Sequence, residues 1–191
     1  EAERIVGDIQ MQLTQPGVKA NDFAILCRTN EQPRAFETEL RRVRLPYILV
    51  GGQSFFDRKE VRDLLAYLKT VENPTDETAL LRIINTPPRG IGNATVKQLL
   101  SEAVSRGEPM WNVLREAANG GGASGTAIGK FMRLIGELRE IADRGAPIDK
   151  LVDAVVDRVQ YRRELERLYP DPMEREARTA SIEELINAGA A

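Results

Sequence analysis

Apolar residues recur along this chain mainly at three- and four-residue intervals, which predicts a mostly helical protein. Ile5, Ile9 and Leu13 mark a short amphipathic helix, and Gln15-Pro16-Gly17 follows as punctuation. Residues 23–27, Phe-Ala-Ile-Leu-Cys, depart from that rhythm as a compact apolar run and predict a buried strand. A helix is predicted over residues 32–43, with Phe36, Leu40 and Val43 on one face. Residues 47–50, Tyr-Ile-Leu-Val, form a second apolar run after Pro46. Strand, helix and strand in such quick succession predict a βαβ unit with parallel strands.

Beyond Gly51-Gly52 the pattern is helical throughout. Asp57 and Glu60 have the spacing of a helix cap ahead of the stripe Val61, Leu64, Leu65, Leu68 and Val71. Asn73-Pro74-Thr75 ends that helix and opens another through Ile84. Asn93 is predicted to cap a helix carrying Val96, Leu99, Leu100 and Val104, and Pro109 to start one with Trp111 and Leu114. Residues 119–125 are glycine-rich and predict a flexible loop. A long helix with Ile128, Phe131, Met132, Ile135 and Leu138 follows, then helices near 148–156, 161–168 and 182–186. The expected class is α+β, mainly α: an α/β piece over residues 1–72 and a helical domain over 73–191.

Composition narrows the chemistry. The 191 residues are 42% hydrophobic and 29% charged with a net charge of −2, so a buried core is expected and a bulk-charge coat for nucleic acid is not. Any DNA contact must come from a local basic patch or from backbone amides. The chain has no histidine and one cysteine, Cys27, which excludes histidine acid–base chemistry, Ser-His triads and an internal disulfide. No run is long enough to span a membrane and no signal peptide is visible, so a cytoplasmic protein with no membrane partner is expected. The start at Glu1 and the helical pattern of the last residues suggest a piece of a larger protein.

Three kinds of segment could carry chemistry. Gly120 and Gly125 have the spacing of a phosphate-binding loop, but Thr126 stands where that loop needs lysine, so a solvated linker is the expected reading. The acidic pairs Glu37/Glu39, Asp57/Glu60 and Glu183/Glu184 are expected on solvated helix faces or caps. Between Leu80 and Leu100 the charged residues are Arg82, Arg89 and Lys97, all basic. At the centre lies Pro87-Pro88-Arg89-Gly90-Ile91-Gly92, just before a helix start. Glycines let a phosphate approach the main chain, and a helix N-terminus offers unpaired N–H groups and positive dipole. On these residues alone the segment is an ordinary interhelix turn first and a phosphate cradle second. Arg28, Thr29 and Asn30, with Arg34 beyond, follow the first predicted strand, where α/β sheets commonly bind ligands. A plain lead into the helix is the competing reading.

Taken in order, these segments resemble a known family. Residues 24–34, Ala-Ile-Leu-Cys-Arg-Thr-Asn-Glu-Gln-Pro-Arg, resemble a segment of UvrD/PcrA/Rep-type superfamily 1 DNA helicases. Residues 45–63, from Leu-Pro-Tyr through Gly51-Gly52 and Phe55-Phe56 to Arg62-Asp63, resemble their next signature. Residues 83–92, Ile-Ile-Asn-Thr-Pro-Pro-Arg-Gly-Ile-Gly, resemble their Asn-Thr-Pro-x-Arg-Gly-Ile-Gly turn. The family usually has tyrosine in place of Cys27 and serine in place of Pro33.

The resemblance implies the start of a RecA-like motor domain (2A) over residues 1–72 and much of a helical accessory domain (2B) over residues 73–191. It implies a parent that is an ATP-dependent 3′–5′ DNA helicase, with ATP and Mg²⁺ bound by parts outside these residues and no cofactor within them. It also implies duplex contacts at Thr86, Arg89, Gly90, Ile91, Gly92, Asn93, Thr95 and Lys97. Single-strand contacts are implied at Arg28, Thr29, Asn30, Arg34 and Arg58. Partners would be a duplex with a 3′ single-strand tail and the remaining helicase domains. No catalytic or metal-ligating residue is expected. The alternative is a helical protein-interaction module whose glycine turn is purely structural.

Overall fold

The computed structural model describes residues 1–29, 32–50 and 54–190. They form ten α-helices: α1 (Ala2–Leu13), α2 (Pro33–Arg42), α3 (Lys59–Glu72), α4 (Glu77–Ile83), α5 (Asn93–Arg106), α6 (Met110–Asn119), α7 (Gly122–Asp143), α8 (Ile148–Arg158), α9 (Tyr161–Leu168) and α10 (Pro172–Gly189). None is long and apolar enough to cross a membrane. The chain divides into two compact units, Glu1–Arg58 and Lys59–Ala191. The division therefore falls at Arg58 rather than near residue 72, because α3 packs on α4, α7, α8 and α10.

In the first unit α1 and α2 pack together, with Val6, Ile9 and Leu40 buried. The two apolar runs expected as strands take no regular secondary structure, and no strand forms among the described residues. The physical reason is visible in their exposure: Leu26 is 95% exposed, and Ile48 and Val50 are each 89% exposed. Parallel strands are stable within sheets covered on both faces, and among the described residues the α-helices of this unit are α1 and α2. The second run is held by side chains instead. The Tyr47 hydroxyl donates to Glu37 Oε2 at 2.9 Å and accepts from Arg41 Nε at 3.0 Å. Ser54 Oγ also donates to Glu37. Glu37 and Glu39 are thus buried, not on a solvated face as expected.

The second unit is built around α3, whose Val61, Leu64, Tyr67 and Val71 are buried. This face also carries two buried carboxylates. Asp63 accepts from Lys59 Nζ at 2.5 Å, from Arg82 Nη2 at 2.7 Å and from the Tyr161 hydroxyl at 2.6 Å. One carboxylate thereby ties α3 to α4 and α9. Glu60, expected in a cap, is fully buried with Arg178 of α10 at 3.6 Å. A buried charge persists only when paired, so these contacts fix how the helices meet.

Several helix ends differ from expectation. The cap of α4 is Asp76, whose Oδ1 accepts from the Ala79 amide at 3.0 Å. Asn93 is the first residue of α5, and Gly92 is its cap. The expected flexible loop at 119–125 is largely helix, since α7 begins at Gly122. Gly125 packs so closely on the end of α6 that a Cβ there would lie 2.9 Å from the Ala117 carbonyl oxygen. The glycines serve a tight α6–α7 turn, in which Gly121 and Gly122 take φ of +75° and +74°.

Candidate nucleic-acid interface

The connection from α4 to α5 is short, and both its ends are anchored. Ile84 and Ile91 are 2% and 0% exposed, so hydrophobic burial pins the segment on either side of its polar middle. Between them Asn85 Oδ1 accepts the Arg89 amide at 2.9 Å. The Arg89 side chain folds back over the turn. Its Nε donates to the Pro87 carbonyl at 3.2 Å and its Nη2 to the Thr86 carbonyl at 3.0 Å. Nη2 also donates to the Tyr67 hydroxyl, which itself donates to the Thr86 carbonyl at 2.6 Å. The guanidinium carbon stands 5.0 Å from the Phe131 ring centre.

Arg89 therefore shapes the turn from within. Its Nη1 is buried without a hydrogen-bond acceptor, and Arg89 forms no ion pair with a carboxylate among the described residues.

Gly90 takes φ +86°, a left-handed conformation that a side chain disfavours. A Cβ added there would meet Ala127 Cβ of α7 at 4.0 Å. Gly92 is exposed, has φ −70° and ψ 157°, and caps α5 with no side-chain bond. A Cβ at Gly92 would meet nothing within 4 Å, so the space before α5 is open. The first intrahelical bond runs from the Val96 amide to the Gly92 carbonyl at 3.0 Å. The amides of Asn93, Ala94 and Thr95 precede it and lack intrahelical partners. Asn93 and Ala94 are exposed, and the first turn of α5 contains no acid. Lys97 is exposed one turn further on. This is a set of amides at a positive helix end, suited to an anion.

The basic cluster read from the sequence is regrouped. Arg82 pairs with buried Asp63 and leaves the cluster. Lys130 of α7 joins it: Pro87, Pro88 and Arg89 line a groove of about 280 Å³ together with Lys130, Phe131 and Arg158. Neither Tyr67 nor Lys130 was singled out by sequence, because each meets the turn from a different helix. The signal that could have located Lys130 is its place three residues after Ala127 and one before Phe131, on the α7 face that meets the turn.

The single-strand candidates lie in the first unit. Arg28 and Thr29 are exposed, and their amides donate to Gln32 Oε1 at 2.7 and 3.4 Å. Arg34 and Arg58 stack over Phe55, at 4.5 and 5.5 Å from the ring centre. Asn30, with Gly51 and Gly52 of the second signature, lies outside the described residues. The glycine spacing at 120–125 does not fit a nucleotide phosphate, since Gly125 is buried inside α7 against α6.

Comparison with known proteins adds an independent finding. Residues 1–175 match the model of the UvrD-like helicase C-terminal domain. The chain is 36% identical to the ATP-dependent DNA helicase Rep of Escherichia coli, over 98% of this chain and 28% of that protein. It is 37% identical to the ATP-dependent DNA helicase UvrD1 of Mycobacterium tuberculosis, over 98% of this chain and 24% of that protein. It is 36% identical to the ATP-dependent DNA helicase PcrA of Staphylococcus aureus, over 98% of this chain and 25% of that protein. The chain thus spans about a quarter of the length of the relatives it matches.

Proposed function

This chain belongs to the UvrD-like helicase C-terminal domain family, and from that premise we propose that its helical unit grips duplex DNA for an ATP-dependent 3′–5′ helicase. The observation that carries this reading is the turn from Thr86 to Gly92. It presents unpaired α5 amides in open space, over an arginine whose buried Nη1 has no hydrogen-bond acceptor.

The chemistry is that of backbone recognition. A phosphate oxygen accepts from the amides at the start of α5, where Gly92 offers no side chain to block it. Gly90, Ile91 and Thr86 set the curvature, and Asn93, Thr95 and Lys97 flank the phosphate on α5. Arg89 positions the turn and adds field. Such contacts read shape and charge and carry no base sequence. That suits an acidic chain that must hold any duplex a motor meets. ATP and Mg²⁺ belong to phosphate-binding parts that these 191 residues do not supply. In the same proposal the first unit is the start of a RecA-like domain. Its exposed Leu26, Ile48 and Val50 would be covered by neighbouring strands, and Arg28, Thr29, Asn30, Arg34 and Arg58 would face the single-strand track.

Gly92 supplies the test. Gly92→Asp puts a good helix cap where nothing clashes, so α5 should gain a few tenths of a kcal/mol. The same carboxylate occupies the free amides and repels phosphate. In anisotropy titrations with a 3′-tailed duplex, the wild-type chain should bind weakly and lose affinity as salt rises. Gly92→Asp should bind at least tenfold more weakly while melting no lower than wild type. Wild-type binding indifferent to salt, or Gly92→Asp binding equal to wild type, would overturn the proposal.

A further inference from the structure

We propose that Lys130 of α7 is a second phosphate contact, so that the duplex backbone is held from two helices across the groove beside the glycine turn. This inference rests on the duplex-grip reading and extends it to a residue outside the turn.

The geometry starts from Gly90, whose Cβ position meets Ala127 Cβ at 4.0 Å. That contact lays α7 directly against the turn. Residues three and four places apart share a helix face. Phe131, four places beyond Ala127, lies beneath the Arg89 guanidinium. Lys130, three places beyond, lines the same groove as Pro87, Pro88 and Arg89. Its side chain is exposed, and it has no ion pair among the described residues.

Charge selects the occupant. Neither Lys130 nor Arg89 forms an ion pair among the described residues, whereas Arg158, which also lines the groove, pairs with Glu137. The α5 amides add the positive end of a helix dipole close by. A repeating anion with spaced charges fits two such positions, and the phosphodiester backbone of a duplex is one. The proline walls are apolar and offer no N–H donors that could read base edges.

The test uses the 191-residue chain, a labelled blunt duplex and a salt series. Lys130→Ala should weaken binding about three- to tenfold at moderate salt, and should flatten the slope of log affinity against log salt by about one. Lys130→Arg should restore both. Lys69→Ala, which removes an equal charge from an exposed α3 position outside the groove, should change neither. If Lys130→Ala binds with wild-type affinity and slope, or if Lys69→Ala weakens binding equally, the inference fails while the duplex-grip reading stands. If Lys130→Ala weakens binding to labelled poly-glutamate but not to the duplex, the groove takes an acidic peptide and the inference is again overturned. If the wild-type chain binds no duplex at low salt, both proposals fall together.

Discussion

Tyr67 and Arg89 donate to the same acceptor, the carbonyl oxygen of Thr86, and Arg89 donates to Tyr67 as well. A buried phenol on α3 thus sets the position of the guanidinium that shapes the turn. Tyr67→Phe removes one bond to Thr86 and leaves Arg89 Nη2 with a single acceptor. Losing a buried hydrogen bond costs about 1–2 kcal/mol, since the cavity stays filled. Thermal unfolding of the helical unit should fall by roughly 2–6 °C. Duplex affinity should fall together with Tm if the turn loosens, which calorimetry and anisotropy on one preparation would show.

Alkaline pH should destabilise the helical unit. Burial pushes the Tyr67 phenol above its ordinary value, with the Arg89 charge pulling partly the other way. Burial and then Asp63 push Tyr161 much higher. A raised folded-state value means that the folded chain keeps a proton the unfolded chain releases. The stability this represents is complete below the unfolded value of 10.0 and is lost as pH rises beyond it. Each retained proton steepens the loss by about 1.4 kcal/mol per pH unit. Denaturant titrations above pH 10 should give about half the wild-type slope in Tyr161→Phe. An unchanged slope would show that Tyr161 ionises as freely in the fold as outside it.

Two glycines of α7 should respond oppositely to alanine. At Gly125 a Cβ would lie 2.9 Å from the Ala117 carbonyl oxygen, which is backbone and yields little. Gly125→Ala should destabilise by about 1–3 kcal/mol, the usual cost of overpacking. At Gly136 a Cβ would meet nothing within 4 Å in mid-helix. Gly136→Ala should stabilise by about 0.5–1 kcal/mol through lower chain entropy. Chemical unfolding of the pair would settle the sign of each.

The periodic apolar stripes placed nearly every helix, because a helix buries one face wherever residues three and four apart are apolar. Ile128, Phe131, Ile135 and Leu138 located α7, and Val61, Leu64 and Val71 located α3. Where local chemistry misled, a tertiary contact had overridden it. Gly125 looked like loop because its close approach to α6 is not written in its neighbours. Glu37 and Glu60 looked like surface because their partners Tyr47, Ser54 and Arg178 come from elsewhere along the chain.

For the candidate interface the division is the same. The turn residues Thr86 to Gly92 and the family they point to were determined by sequence alone, since glycine, proline and a helix start have local conformational meaning. Only the tertiary structure decided that Arg82 leaves the basic cluster for Asp63, that Arg89 turns inward onto Tyr67, and that Lys130 stands beside the turn. Charge acts through space, and which charges share a field depends on helix packing that residues 80–100 do not encode by themselves. The two apolar runs make the complementary point. Their composition marks them for a sheet, but strands pair only with neighbours, so sequence determined the tendency and packing decides whether it is met.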